Sequence, residues 1–388
     1  MPFSFKNRFP HYFSTHPNRE VTEVYWFTII ANLAISMVFI FEPIYLYTLG
    51  FSFISIMWFY AMVYGWYLIL VFSGAKFASR YGYKHSIFLS CIFLVCYWFS
   101  LFFIKLRPEL FFAAPLFLAL QKSWFWPAYD ADMALFTARD QRGREVSVLF
   151  TIIQIAFIAG PFLGGIVSQN FGFMALFVCA SILALLSAYP LFSSPEIYSR
   201  HEFQIKNFLR MLGKYPWNFF GYWGYAEDLM LTSLWPVYMF IVVGNFQNLG
   251  FISTIATVAG TMIMLYIGRR IDRRGGRHNL IFESTVVYGA TWIVRFLARG
   301  IPLVLGFDIL TKASKDVLDV PLNSITFERA GENGPDHAIA YAVFYEFSLS
   351  VGKLITALAS IAILTLTGNI YLVFALVGIL TMFYGLLR

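Results

Sequence analysis

Long apolar runs separated by short polar turns organise this chain from end to end. Runs of spanning length fall at roughly 24–48, 51–74, 86–104, 110–137, 147–168, 171–192, 216–243, 249–268, 279–299, 301–327, 338–362 and 369–387. A helix that crosses a bilayer needs about 20 apolar residues, so the pattern predicts twelve transmembrane helices. A membrane β-barrel would show segments of about 10 residues alternating in hydrophobicity. These runs are longer and apolar on most faces, and a helix satisfies its own backbone in lipid. The expected fold class is therefore all-α integral membrane.

Composition agrees and excludes other classes. Of 388 residues, 59% are hydrophobic, 20% aromatic and 13% charged, against about 45–50% apolar and about 25% charged in soluble chains. A water-soluble globule and a disordered chain are both excluded. The net charge of +7 points to topology rather than to nucleic acid, because the cations sit in turns between apolar runs. With an even number of spans both termini share a side. That side, made of the termini and the even-to-odd turns, collects twenty of the 28 lysines and arginines. The positive-inside rule makes it cytoplasmic, in an inner or plasma membrane. Lys105, Arg107, Arg295 and Arg299 fall on the other side. Residues 1–20 show no cleavable signal peptide and read as a cytoplasmic tail. The longest polar break, 193–215, reads as a cytoplasmic linker between six-helix halves at 21–192 and 216–388. All six histidines lie outside the apolar runs and the three cysteines inside them, which gives no haem, zinc or disulfide pattern.

Self-comparison adds the decisive pattern. Ser79-Arg80-Tyr81-Gly82-Tyr83-Lys84-His85 after the second run pairs with Asp272-Arg273-Arg274-Gly275-Gly276-Arg277-His278 after the eighth, at an offset of 193 residues. The same offset joins Pro43-Ile44-Tyr45 to Pro236-Val237-Tyr238, and Lys122 to Lys315. One register shared by three separated pairs argues for two homologous halves. With these residues in place the chain resembles the major facilitator superfamily of secondary transporters. The signature of that family is Gly-x-x-x-Asp-Arg-x-Gly-Arg-Arg, and Gly268, Asp272, Arg273, Gly275 and Arg277 match it. The first copy keeps Arg80, Gly82 and Lys84 but has Ser79 at the acidic position, so its charge clamp must be weaker or use another acid. Gly160-Pro161-Phe162-Leu163-Gly164-Gly165 is similar to a helix-five motif of antiporters in the family. The resemblance implies twelve helices in two pseudo-symmetric six-helix bundles, with spans one, four, seven and ten around a central cavity.

Charges inside the runs carry the candidate chemistry, because each costs about 2.5–3.5 kcal/mol to insert. The cations are Lys122, Lys312, Lys315 and Lys353, all lysines. The acids are Glu42, Asp130, Asp132, Glu227, Asp228, Asp308, Asp316, Asp319 and Glu346. Asp308, Lys312, Lys315 and Asp319 share one stripe of span ten with Asp316 beside it, and can pair along the helix. Glu227 and Asp228 cannot both stay ionised cheaply when buried, so one is expected to hold a coupling proton. Glu346 and Lys353 share a face of span eleven, where the lysine suits an anionic group or a change of partner during rocking. Lys122 has Gln121 beside it and Trp126 one turn on, an aromatic face for a cation. Asp130 and Asp132 read as solvated acids near the cytoplasmic end of span four, and Glu42 reads either as a proton site or as an interfacial acid. No phosphate-cradling loop encodes ATP drive, and no nucleophile–base arrangement suggests an enzyme.

These features predict a monomeric, cofactor-free secondary transporter that moves a small organic solute across the bilayer by alternating access, with protons as its partner ion. The mixed charges suit an anionic or zwitterionic solute. A multidrug or lipid exporter and a membrane sensor that has lost transport are the alternatives.

Overall fold

The computed structural model describes residues 19–136, 142–193, 202–271 and 277–387. Every regular element among them is helical, and all twelve expected spans are found. Spans one to four are Arg19–Val38 continued by Phe41–Thr48, then Phe53–Tyr81, Tyr83–Phe103 and Leu110–Phe136. Arg142–Ser187 holds spans five and six, turned at Gly172 where φ is 80°. Span seven is assembled from Pro216–Gly221, Tyr222–Tyr225, Ala226–Thr232 and Leu234–Val243. Spans eight to ten are Phe246–Ile271, Arg277–Ile293 with Val294–Leu297, and Ile301–Ala330. Pro335–Thr367 and Ile370–Leu380 with Thr381–Leu386 complete the set. Among the described residues seven stretches are long and apolar enough to cross a membrane by themselves, one of them holding spans five and six, and spans four, nine, ten and twelve are not among them. Span ten falls short because it carries five charges between Asp308 and Asp319.

The helices form two bundles that pack on each other. Span one lies along span five, span two along span four, and span three along spans four and six; in the second bundle span eight lies along ten and span nine along ten and twelve. Across the divide, span two meets eleven, span four meets eleven, and span five meets eight. The 193-residue register appears in the backbone as well. Span one breaks at Phe39-Ile40 and span seven at Thr232-Ser233, which are corresponding positions just ahead of Pro43 and Pro236. A proline three residues into the outer segment lacks the N–H that would continue the ladder, so both breaks follow from the repeated Pro-x-Tyr.

Close approach in this fold depends on small residues, because apolar burial gives helices in lipid no drive to associate. In Gly160–Gly165 the glycines serve two neighbours. A Cβ on Gly164 would lie 2.0 Å from the Met37 carbonyl oxygen of span one, and one on Gly165 would lie 2.8 Å from the Phe246 carbonyl of span eight. The motif thus lets span five touch its own bundle and the opposite one. Between spans two and three the whole turn is Gly82, with φ of 107°, a conformation that L side chains adopt only under strain.

The linker is not bare coil. Ile205–Lys214 is an amphipathic helix that buries Phe208 and Met211, and Phe208 packs against Phe72 of span two and Phe347 of span eleven.

Gly164→Val should lower the melting temperature sharply, by the equivalent of about 1–3 kcal/mol of overpacking. Gly213→Ala, on the linker helix with nothing within 4 Å of its Cβ, should be neutral or raise stability by about 0.5–1 kcal/mol. Thermal unfolding of the purified variants measures both, and equal effects would refute the close-approach account.

Candidate functional site in the membrane interior

The interior charges gather chiefly on the second bundle, and Lys315 is the hub. Its Nζ lies 2.7 Å from Glu227 Oε1, 2.8 Å from Asp228 Oδ1 and 3.6 Å from Asp319 Oδ1. Lys353 of span eleven reaches the other oxygen of Asp228 at 3.2 Å. Glu227 is fully buried. Its Oε1 also accepts from Tyr384 at 2.8 Å, while Oε2 has no hydrogen-bond partner among the described residues. The broken segment Ala226–Thr232 of span seven allows this, because a short helix ending at Ser233 can aim two consecutive acids at one ammonium. The adjacent acids are therefore kept close by a shared cation.

A second cluster lies further along span ten. Lys312 sits 2.9 Å from Asp308 and donates to the Ser253 carbonyl and hydroxyl of span eight at 2.8 and 2.9 Å. Trp235 Nε1 donates to Asp308 at 3.1 Å. Arg295 corrects two expectations: it belongs to no outer loop, and the interior cations are not all lysines. The 3-10 turn Val294–Leu297 prolongs span nine and buries Arg295 completely. Its guanidinium stacks 3.4 Å from the Trp292 ring centre and 4.0 Å from that of Trp235, and it donates to Thr311. Two flat indoles can cover a weakly hydrated guanidinium where an ammonium would lose its water.

The ladder expected along span ten holds only in part. Lys312 with Asp308 and Lys315 with Asp319 do pair. Asp316 instead shares a hydrogen bond with Gln154 of span five, across the divide between the bundles.

At the interface of the bundles a face of span two that was not singled out from sequence makes the contacts. Tyr60, Tyr64 and Tyr67 lie at spacings of four and three on one helical face. Tyr60 donates to the Thr232 carbonyl at 2.9 Å and Tyr67 to Glu346 Oε2 at 2.7 Å. Lys353 and Lys122 lie 5.6 and 6.0 Å from the centre of the Tyr64 ring. That i, i+4, i+7 tyrosine pattern was the available signal, hidden among 23 tyrosines.

Two further expectations, for Lys122 and for Asp130, are corrected here, and Glu346, Lys353 and Glu42 are placed. The aromatic face for Lys122 belongs to Tyr64, while Trp126 packs on Phe125 and Tyr129. Glu346 and Lys353 share a helix face but not an ion pair, since Tyr67 takes the acid and Asp228 the lysine. Asp130 is buried at 6% exposure with one bare oxygen, close enough to Glu346 to interact electrostatically, so it is no solvated acid. Glu42 accepts from Trp98 Nε1 at 2.7 Å and Tyr97 at 3.1 Å and is held by neutral donors inside the first bundle.

Of the loop residues, Lys84 pairs with Glu23 of span one at 3.2 Å, both largely buried. Glu23 is thus an acid for the first clamp in place of the one missing at position 79. Ser79 accepts from the Phe203 backbone at 3.1 Å, which ties the span-two end to the linker. Arg80 lies over the neighbouring Tyr81 ring at 5.6 Å. Asp272, Arg273 and Gly275 lie outside the described residues. Gly268 falls near the end of span eight, and Arg277 opens span nine.

Such a fold, with two bundles packed across paired charges, defines a multi-pass membrane transporter. The Major Facilitator Superfamily model matches residues 24–222, and the chain belongs to that family, whose members are transporters rather than enzymes. Among solved structures, the nucleoside transporter NupG is similar with a TM-score of 0.69 and 14% identity, over 96% of this chain and 100% of that one. A D-xylose-proton symporter gives 0.69 and 12%, over 94% and 97%. The human organic anion transporter MFSD10 gives 0.63 and 16%, over 95% and 99%. At such identities the likeness is one of fold. No curated protein matches in sequence.

Lys315→Met leaves three acids without their shared cation and should cost about 3–5 kcal/mol, as breaking a buried pair does. Lys312→Met should cost clearly less, because Asp308 keeps Trp235 and Lys312 is partly exposed. Comparing the unfolding midpoints of the two variants tests the hub, and a larger loss for Lys312→Met would refute it.

Proposed function

We propose that this secondary transporter moves a small organic solute by alternating access and is driven by protons. Its halves, 21–192 and 216–388, rock about the linker 193–215, with both termini in the cytoplasm. One observation carries the proton reading: buried acid exceeds buried base. Among the described residues the interior holds Glu42, Asp130, Glu227, Asp228, Asp308, Asp316, Asp319 and Glu346 against Lys122, Arg295, Lys312, Lys315 and Lys353. Glu42, Asp130, Asp316 and Glu346 have no cation within 4 Å. A carboxylate without a counter-charge would cost several kcal/mol in this medium, so protons make up the deficit.

Protons held in this way become a drive when rocking changes which acids meet water. Glu227 is the strongest carrier candidate. One of its oxygens is clamped by Lys315 and Tyr384, while the other is buried and free for a proton. Glu346 and Asp130 come from opposite bundles, so a proton between them is exchanged only as the halves part. The symporter among the similar folds supports this reading.

A thermal-shift screen of metabolites at two pH values should identify a ligand, since a ligand at a hundredfold excess over its dissociation constant adds about 2.7 kcal/mol of apparent stability. Proteoliposomes should then accumulate that ligand against its gradient when a pH gradient is imposed. Glu227→Gln with Asp228→Asn should abolish accumulation but leave exchange of labelled for unlabelled ligand. Uptake that ignores both the pH gradient and the double substitution would sink proton coupling.

A further inference from the structure

We propose that Lys122 and Lys353, gathered around the Tyr64 ring, form the binding site for an oxyanion group of the solute, a carboxylate or a phosphate monoester. This deepens the transport reading and rests on it. Lys122 is half-buried in span four, its Nζ 6.0 Å from the Tyr64 ring centre. Among the described residues it has no hydrogen bond and no carboxylate within 4.0 Å, so its ammonium donors meet no protein acceptor. Glu42 and Glu346 feel its charge, and both accept hydrogen bonds from neutral donors, Tyr97 with Trp98 and Tyr67. An ammonium inside a membrane needs a counter-charge. Among the described residues the interior ion pairs go to Lys315, Lys312 and Lys353, and none is made by this lysine.

Lys353 is the second half of the site because its one ion pair is redundant. Asp228 holds it at 3.2 Å but is itself held by Lys315 at 2.8 Å. Lys353 can therefore turn to a ligand without orphaning the acid. Its surroundings contain Asp228, Glu346, Asp319 and Tyr64, and Lys122 lies on the same tyrosine ring. A rotating point charge such as an ammonium suits an oxyanion that changes orientation during transport, where a guanidinium fork would fix it.

Position gives the site its effect. Lys122 belongs to the first bundle and Lys353 to the second, so an anion touching both binds the closed arrangement better than the parted one. That difference in affinity is what a ligand needs to shift a conformational equilibrium. When the anion takes Lys353, Asp228 relies on Lys315 alone, and the proton that balances the anion goes to Glu227, whose Oε2 has no hydrogen-bond partner among the described residues. One anionic charge and one proton then enter together, and the interior gains no net charge.

The test uses the full-length protein with small carboxylates and phosphate monoesters, each paired with its neutral amide or alcohol counterpart, at millimolar concentration. The anions should raise the melting temperature and their neutral counterparts should not. Lys122→Met should weaken anion binding by about tenfold or more without lowering the ligand-free melting temperature, because no hydrogen bond or ion pair is lost. Lys122→Arg should retain binding. Should Lys122→Met fail to fold, Lys122→Gln supplies the same reading with a neutral hydrogen-bonding group. In Lys353→Met, anions should still bind, though more weakly, and binding should no longer take up a proton as followed with a pH dye. The proposal is overturned if neutral counterparts stabilise equally, if Lys122→Met and Lys122→Gln bind anions within about twofold of the parent, or if no anion stabilises the parent. A pH-driven uptake of a neutral solute would overturn the anion site and leave the transport reading intact.

Discussion

Everything in the second bundle is arranged around keeping Lys315 charged inside a membrane. Three carboxylates from spans seven and ten surround it, and the consequences run outward from there. Span seven must be broken so that Glu227 and Asp228 can both face span ten. Tyr384 of the last segment must approach through Gly224, whose Cβ would otherwise strike that ring at 2.6 Å. Span eleven is drawn in by Lys353 and seats its Gly352 against Trp223. A buried pair of this kind is poor evidence for stability, because an apolar core of the same shape often does as well. It is good evidence for use, since its partners can be exchanged without unfolding.

The two bundles carry the same register but not the same chemistry. Lys122 and Lys315 occupy equivalent positions, yet one has no acid and the other has three. At positions 42 and 235 the first bundle places a glutamate under Trp98 and Tyr97, where the second places a tryptophan over Arg295. Gly160 corresponds to Lys353: the glycine lies against Ser36, and the lysine reaches across to Asp228. The duplication thus supplies the scaffold twice, and divergence leaves one half rich in internal pairs and the other with an open cation.

How much of this could be read from sequence follows from what each feature depends on. Span number, the register and the helical class rest on composition and periodicity, which are local, and they agree with the structure. Glu227, Asp228, Lys315 and Lys353 were visible because a charge in an apolar run is conspicuous in itself. Their partners were not. Whether Asp316 turns to Lys312 or to Gln154 depends on a neighbouring helix more than 150 positions away. Arg295 was counted with the outer loop because it stands four residues from the end of its apolar run, and the 3-10 turn that keeps it on span nine leaves no mark in the sequence pattern. The tyrosine face was missed because a fifth of the chain is aromatic, so a spacing of four and three gave no contrast.

The missing acid at position 79 shows how such a chain repairs a lost charge. The family pattern places the acid at the end of span two, and here Ser79 is left to bind the Phe203 backbone. Glu23 of span one pairs with Lys84 instead, so the basic residue of the loop is still neutralised, but by a different helix. Moving the acid changes what the clamp fastens. It now joins spans one and three within the first bundle, while Ser79 couples span two to the linker that leads to the second. A displacement of the linker backbone can then reach Ser79 without breaking the Glu23–Lys84 pair, because the two contacts fasten different helices.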